Sequence, residues 1–454
     1  MGPVDVAIVG GGASGTLVAV QLLRQARGPW RIALIERSGA LARGLAYGPA
    51  ESCHLLNVPA AGMSALPDDE GHFARWSGAA PDAFVPRALY GTYLESLLTE
   101  AHARAAPGVA LQLVCGDAVS AAVEGDTARI GLRDGREIQA RAAVLALGNL
   151  PSANPPVPDG GLYASGLYRR SPWESGALDG VPPDSEVMLV GSGLTMVDAA
   201  LALQRRGHRG RIHALSRHGL LPQVHGDATG SAQLRIGANG VRGLLRALRA
   251  ATYRAGDWRP VFDALRTVTQ RIWARLSEAE RRRFLRHLRA HWDVHRHRMA
   301  PEVGATVARL RSAGRLIVHA GRVQAFAVEG GSAIARYRPR GDRRPRDLRV
   351  ARVVNCTGPA SSLADASHPL LESLLAQGLA SADALGMGFA TDRDGALLGS
   401  AAGLLFTLGA LRRGELWEST AIPELRCQAR TVATRLVDSL SPAAQETMQA
   451  SGVD

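Results

Sequence analysis

The sequence, 454 residues long, predicts an α/β protein carrying two copies of a strand–glycine turn–helix unit. Three observations predict it. The apolar run Val4-Asp5-Val6-Ala7-Ile8-Val9 stops at Gly10-Gly11-Gly12-Ala13-Ser14-Gly15. The run Glu186-Val187-Met188-Leu189-Val190 stops in the same way at Gly191-Ser192-Gly193. The stretch from about 235 to 315 has helical periodicity and dense arginine, which adds an all-α segment to the second copy. Short apolar runs that end in glycine and continue as a helical pattern are the mark of parallel strands buried on both faces.

The remaining elements follow in order. Leu17, Val18, Val20, Leu22 and Leu23 keep helical spacing, and Arg31 to Glu36 is a second strand. Residues 38 to 83 are broken by Gly44, Gly48, Pro59, Gly62 and Pro67 and are expected to be loop-rich. Arg87 to Ala106 reads as helix, Leu111 to Cys115 and Thr127 to Leu132 as strands, and Ala142 to Leu147 as a buried strand stopped by Gly148. The proline-rich connector from Pro151 to Pro158 marks a domain boundary. Past the second glycine turn, a helix runs to about Arg206 and a strand spans Arg211 to Leu215. Strands resume at Leu316 to Val318 and Arg349 to Asn355, the latter ending at Gly358. The tail offers a strand, Leu404 to Gly409, and a helix from about Pro423 to Leu440. The expected domains are 1–160 and 346–454 together, with 161–345 inserted between them and carrying the helical segment at about 235–315.

Spacing gives the two turns their chemistry. Gly10, Gly12 and Gly15 form G-x-G-x-x-G between a strand and a helix: a tight turn, a close backbone approach to a pyrophosphate, and close strand–helix packing. The helix start at Ala13 and Ser14 then stabilises phosphate charge. Glu36 lies 21 residues past Gly15, where a carboxylate accepts hydrogen bonds from a ribose. The second turn keeps Gly191 and Gly193, with Ser192 between them and Leu194 and Thr195 opening the helix, but Met196 replaces the third glycine. A bulky residue there is expected to loosen helix–strand packing. Twenty-one residues past Met196 stands Arg217. A carboxylate repels a 2′-phosphate and an arginine pairs with one, so the first unit suits FAD and the second NADPH over NADH. These are two dinucleotide-binding domains of Rossmann type.

Composition removes several alternatives. No lysine occurs, so all 53 basic residues are arginine, which excludes a Schiff-base nucleophile, a pyridoxal-phosphate anchor and a P-loop lysine. The net charge of +12 comes without zinc-finger spacing, RNA-binding aromatics or a basic tail, so attraction of phosphate-bearing cofactors is expected rather than nucleic-acid binding. Cys53, Cys115, Cys356 and Cys427 are far apart and form no C-x-x-C, which argues against a disulfide reductase. No apolar run is shaped to span a membrane or to act as a signal peptide, and a cytoplasmic monomer or homodimer is expected. His287, His291 and His295, spaced by four, would share one helix face, but they sit among arginines that oppose a metal cation, and no metal is expected.

The whole chain resembles the two-dinucleotide-binding flavoproteins, which include flavin-containing monooxygenases and N-hydroxylases, and most nearly the bacterial FAD-NAD(P)-binding family. The residues that carry the resemblance are Gly44-Leu45-Ala46-Tyr47, His54-Leu55-Leu56-Asn57-Val58-Pro59, Gly191-Ser192-Gly193-Leu194-Thr195, Ser216 to Pro222, Trp292 to Pro301 and Leu416 to Arg426. The resemblance implies that the loop after Glu36 runs beside the flavin, with Arg43, Tyr47, His54 and Asn57 as its polar members, and that Arg37 contacts the cofactor. His54 or Asn57 would be the candidate catalytic donors to the flavin; the alternative is that they stabilise the loop. It further implies cofactor contacts at Val119, Gly148, Gly358, Gly409 and Thr420, and pocket or phosphate contacts at Arg296 and Arg298. One departure stands out: Leu162 to Trp173 lacks the histidine of the Baeyer–Villiger signature, which speaks against ketone-to-ester chemistry.

What the resemblance implies for function is an FAD-dependent NAD(P)H oxidoreductase, a monooxygenase that hydroxylates a small molecule through a flavin C4a-oxygen adduct. The alternatives are a reductase or dehydrogenase without oxygen insertion, and a non-catalytic FAD-binding redox-sensing module.

Overall fold

The structure, a computed structural model, describes residues 2–48, 51–226, 240–399 and 403–441. The strands are β1 (Val4–Val9), β2 (Trp30–Glu36), β3 (Val109–Cys115), β4 (Ala118–Glu124), β5 (Thr127–Leu132), β6 (Glu137–Leu145), β7 (Tyr168–Arg169), β8 (Val187–Val190), β9 (Ile212–Ser216), β10 (Leu316–Glu329), β11 (Ser332–Pro339), β12 (Arg346–Val350), β13 (Arg352–Asn355) and β14 (Leu405–Thr407). The helices are α1 (Ala13–Gln25), α2 (Gly44–Tyr47), α3 (His72–Ser77), α4 (Arg87–Ala103), α5 (Leu194–Arg205), α6 (Val241–Ala255), α7 (Arg259–Arg266), α8 (Thr269–Arg275), α9 (Glu278–His287), α10 (Arg289–Arg296), α11 (Pro301–Ser312), α12 (Pro369–Ala376) and α13 (Ile422–Leu440).

Two compact units result. The first comprises residues 1–48, 59–150 and 361–454, and the second residues 49–58 and 151–360.

In the first unit the sheet order is β3-β2-β1-β6-β5-β4, with β14 also paired to β6. β1, β2, β3, β6 and β14 run parallel, while β4 and β5 form an antiparallel extension on β6. β1 is apolar on both faces because both are covered; Val6, Ala7 and Ile8 are completely buried. Helix α1 packs against α13 and α4. Since β1 lies between β2 and β6, its carboxyl end is the point where strand order reverses, the place where open α/β sheets bind ligands.

The second unit repeats the plan with the order β12-β11-β10-β9-β8-β13-β7. Here β8 lies between β9 and β13 in parallel, and β10, β11 and β12 form an antiparallel extension. Its core gathers Val187, Leu189, Met196, Ala200, Leu203 and Ile212.

The observed boundaries correct the expected ones at 160 and 346. β12 and β13 pair within the second sheet, so the chain leaves that unit at 360, and residues 49–58 cluster with the second unit although they precede it by a hundred positions. The helical segment also contracts. Residues 235–239 lie outside the described residues, and α11 packs on α5 and β10 as the helix that leads back into the sheet, leaving α6 to α10 as the added part. Between 241 and 298 there are fifteen arginines against five acidic residues, so ten of the twelve net positive charges belong to this segment. The expected histidine stripe is broken, because α9 ends before Leu288 and α10 begins after it. Among the described residues no group of three or more His, Cys, Asp or Glu is placed to hold a metal ion, and no helix is long and apolar enough to cross a membrane.

Candidate nucleotide sites

In the first unit the glycine turn is sterically closed. A β-carbon on Gly10 would lie 2.5 Å from the Ala146 carbonyl oxygen, and Gly10 itself holds φ +107°. Gly12 caps α1 without a side-chain cap, and no acid occupies the first helical turn, so the helix start at Ala13 and Ser14 keeps its positive end unneutralised. A β-carbon on Gly12 would come to 3.3 Å from the Gly44 α-carbon, which brings the start of α2 onto this turn. Gly409, at φ +74°, closes the other side; its β-carbon would be 3.6 Å from Ser14 Oγ, and its N–H donates to Gln428 Oε1 on α13 at 3.0 Å. Gly12, Ser14, Gly44 and Gly409 therefore form one cradle that only small residues leave open, which fits a pyrophosphate.

Glu36 stands at the end of β2. Its carboxylate accepts from Gly11 N at 2.8 Å, Ser38 N at 2.9 Å and Ser38 Oγ at 2.7 Å. An ionised carboxylate has about four acceptor positions, so this anchored group keeps capacity for a ribose hydroxyl. Arg37 beside it is exposed. Val119 sits where the β4–β5 register shifts, a bulge that redirects its backbone. Gly148 takes φ +65° just past β6. Arg43 is bidentate with Glu95 of α4, at 2.7 and 2.9 Å, so its charge is already matched. Tyr47 is buried against Tyr90, with ring centroids 4.9 Å apart, and burial raises its hydroxyl pKa. Thr420 is exposed, just ahead of α13.

The second unit presents the same turn with a different lock. A β-carbon on Gly191 would meet the Cys356 carbonyl at 2.3 Å, whereas one on Gly193 would meet nothing within 4 Å. Gly193 caps α5 with no side-chain cap and no acid in the first turn, leaving Leu194 and Thr195 at an open helix start. Met196 is completely buried in the core, so α5 accommodates the side chain and the expected loosening is not seen. Ser192 Oγ hydrogen bonds to Ser216 Oγ at 2.7 Å and to the Leu220 carbonyl at 2.6 Å, tying the glycine turn to the loop that carries Arg217. Ser216 and Leu220 were not singled out individually by sequence reasoning, because serine-to-backbone bonds across 24 and 28 positions leave no pattern. Arg217 is exposed and has no partner among the described residues. Gly358 takes φ +82° after β13.

His54 and Asn57 fall in this second unit. His54 is buried; its Nδ1 accepts from Glu51 N at 3.1 Å, and its Nε2 bonds the Asp198 carbonyl of α5 at 3.1 Å. Both ring nitrogens are engaged, and the ring braces the 51–57 loop against α5. The Asn57 carbonyl accepts from His225 Nε2 at 3.0 Å, while its side chain is half-buried and makes no hydrogen bond among the described residues. His54 also borders a cavity of about 170 Å³ with Glu51, Trp173, Glu174, Leu178 and Arg206. Arg206 is paired with both Glu51 and Asp179, so it offers that cavity no free charge. Arg298 is held at 2.5 Å by Asp263 and lies over the Trp258 ring, a packing role in the added helices.

Comparison with known proteins agrees with this geometry. Residues 7–150 match the family described as FAD-NAD(P)-binding. The L-aspartate N-monooxygenase (nitrosuccinate-forming) of Streptomyces cremeus is 32% identical over 170 residues, which cover 35% of this chain and 25% of that protein. The match thus spans about a quarter of that relative's length. Among solved structures, the ornithine N-hydroxylase of Kutzneria sp. 744 superposes with a TM-score of 0.66 at 16% identity, covering 97% of this chain and 100% of the other. The ornithine hydroxylase of Pseudomonas aeruginosa superposes at 0.67 with 15% identity, covering 97% and 100%. The bacillithiol disulfide reductase of Staphylococcus aureus superposes at 0.60 with 12% identity, covering 97% and 99%. At these identities the agreement establishes the fold alone: an α/β protein with two sheets.

Proposed function

We propose that this FAD-NAD(P)-binding chain is an FAD-dependent, NADPH-using monooxygenase that hydroxylates a nitrogen of a small amino acid or amine. The observation that carries the nucleotide assignment is the opposite charge at equivalent positions: Glu36 closes the strand beside β1, and Arg217 follows the strand beside β8. The residues fit both groups. The cradle of Gly12, Ser14, Gly44 and Gly409 takes a pyrophosphate, Glu36 takes a ribose, and the open start of α5 with Arg217 takes a phosphorylated dinucleotide. Bound FAD would supply the redox chemistry, accepting reducing equivalents from NADPH and delivering them to O2. The chain's own part is to orient the cofactors and to keep them from each other's sites by charge.

The nitrogen-hydroxylating direction is supported by the 32% identity to an L-aspartate N-monooxygenase and by the fold shared with ornithine hydroxylases. The cysteines are far apart in sequence and form no C-x-x-C pair, which speaks against a dithiol-based disulfide reductase. The deciding experiment uses the protein as purified. A visible flavin spectrum, bleached by NADPH without oxygen, supports the reading; readmitting air with L-aspartate, L-ornithine or L-lysine should then yield an N-oxygenated product. Peroxide alone across a wide amine panel would reduce the proposal to an NADPH oxidase or reductase. A colourless protein that fails to take up FAD would overturn it.

A further inference from the structure

The loop that begins with Arg217 lies in an unusual electrostatic setting. His218 follows it, and His218 Nδ1 accepts from Arg340 Nη1 at 3.2 Å, so an arginine between β11 and β12 reaches the end of β9. The His291 ring of α10 lies 6.1 Å from the His218 ring. Burial lowers the His218 pKa, and the charges of Arg340, Arg217 and Arg322 lower it further. Backbone packing holds the group together: Gly219, at φ +62°, would bring a β-carbon within 3.0 Å of Ala320, and Arg340 N donates to the Ala320 carbonyl at 2.8 Å.

Elsewhere in this unit many arginines face a carboxylate. Arg206 pairs with Glu51 and Asp179, Arg209 with Asp184, Arg336 with Asp347 and Arg298 with Asp263. Arg217, His218, His291, Arg322 and Arg340 pair with none among the described residues. Three arginines gathered without a counter-ion, Arg217, Arg322 and Arg340, repel one another, a cost that an anion bound among them removes; His218, which accepts from Arg340, carries no proton on that nitrogen. The gathering stands at the end of the strand next to β8, where the ribose of a dinucleotide on the second glycine turn would lie.

We infer that Arg340 and His218 complete, with Arg217, a clamp for the 2′-phosphate of NADPH, so that nucleotide choice rests on the 340 hairpin as well as on the end of β9. The inference rests on the NADPH reading above. Arg217 and Arg340 supply the charge, His218 holds Arg340 through its hydrogen bond, and Arg322 adds to the field.

The test measures binding to the full-length, flavin-loaded protein by calorimetry, with NADP⁺, NAD⁺, adenosine 2′,5′-bisphosphate, adenosine 5′-monophosphate and inorganic phosphate as probes. Arg340→Ala, an exposed change, is expected to weaken NADP⁺ and the bisphosphate at least about tenfold, with NAD⁺ and the monophosphate unchanged. Arg340→Lys should recover part of the loss. Equal weakening of NADP⁺ and NAD⁺, no weakening of either, or inorganic phosphate binding as tightly as the bisphosphate would overturn the clamp. The two readings fail separately. If wild-type protein prefers NADP⁺ and only Arg217→Ala removes that preference, the clamp is wrong and the NADPH assignment stands. If wild-type protein shows no preference, both fall.

Discussion

A β-carbon on Gly15 would lie 1.8 Å from the carbonyl oxygen of Gly10, closer than any two non-bonded heavy atoms can come. The third glycine of the first turn is therefore a packing requirement between α1 and β1. Gly15→Ala must push the helix off the strand and with it the N–H groups of Ala13 and Ser14. Flavin content of the purified variant is expected to drop at least about tenfold, read from the ratio of visible to ultraviolet absorbance. Full occupancy would mean that α1 does not hold the cofactor.

Gly193 gives the opposite case. It has φ −82°, and its β-carbon would meet no atom within 4 Å, so the fold itself tolerates alanine there. If a pyrophosphate approaches this backbone, the added methyl obstructs it. Gly193→Ala is expected to keep its flavin and its melting temperature while losing about tenfold in NADP⁺ affinity. Unchanged affinity would show that the second turn is scaffold.

Arg217, exposed and unpaired among the described residues, tests the charge argument. Arg217→Ala removes a charge-assisted contact that only the 2′-phosphate makes. KM for NADPH should rise about 10- to 100-fold while KM for NADH stays within about twofold. Equal effects on both nucleotides would refute the role.

The two units were legible because each is local: strand, turn, helix and second strand lie within about thirty residues, and glycine and apolar spacing record them directly. Glu36 and Arg217 were found by counting. What stayed hidden depends on partners far along the chain. β13 joins the second sheet through β8 and β7, more than 160 positions earlier, so sequence alone placed 346–355 in the wrong unit. His54 is held by a carbonyl 144 positions away, which no local pattern announces. The histidine stripe failed for a local reason: Leu288, at φ −115°, interrupts what periodicity reads as one continuous helix.

That brace makes a prediction of its own. His54→Ala removes the acceptor of the Glu51 N–H and one of the bonds to the Asp198 carbonyl, a loss of about 1–2 kcal/mol. If bracing is its whole role, the variant should melt several degrees lower yet oxidise NADPH at a rate within about twofold of wild type, once compared below both transitions. A loss of rate by a hundredfold with unchanged melting would instead return His54 to the catalytic role that the family resemblance implies.

The last prediction concerns pH. His208, His225 and His319, all in the second unit, have pKa values lowered chiefly by burial, with Arg315, Arg298 and His213 respectively adding repulsion. His319 is also part of a hydrogen-bond chain: the Tyr337 hydroxyl is 3.2 Å from its Nδ1, its Nε2 is 3.0 Å from His213 Nδ1, and His213 Nε2 is 2.9 Å from Glu186. When Tyr337 donates to Nδ1, His319 offers its Nε2–H to His213, so a proton gained at His319 Nδ1 turns the Tyr337 hydroxyl from donor to acceptor. The sign follows from which state binds protons first. Unfolded histidines titrate near pH 6.5, the folded ones lower, so between these values the unfolded chain holds more protons and stability falls as pH falls. Above about pH 6.5 their contribution is complete; below it, it is lost progressively until the folded pKa values are passed. Aspartates held low by arginine partners, such as Asp184 and Asp347, weaken the fold only at more acidic pH, so the window from about pH 6.5 to 5 belongs to the histidines. Melting temperature is expected to be flat from about pH 8 to 7 and to drop by several degrees by about pH 5, with His319→Gln reducing the slope. A melting temperature that rises on acidification through this window would mean that the histidines gain protons on folding, against the burial argument.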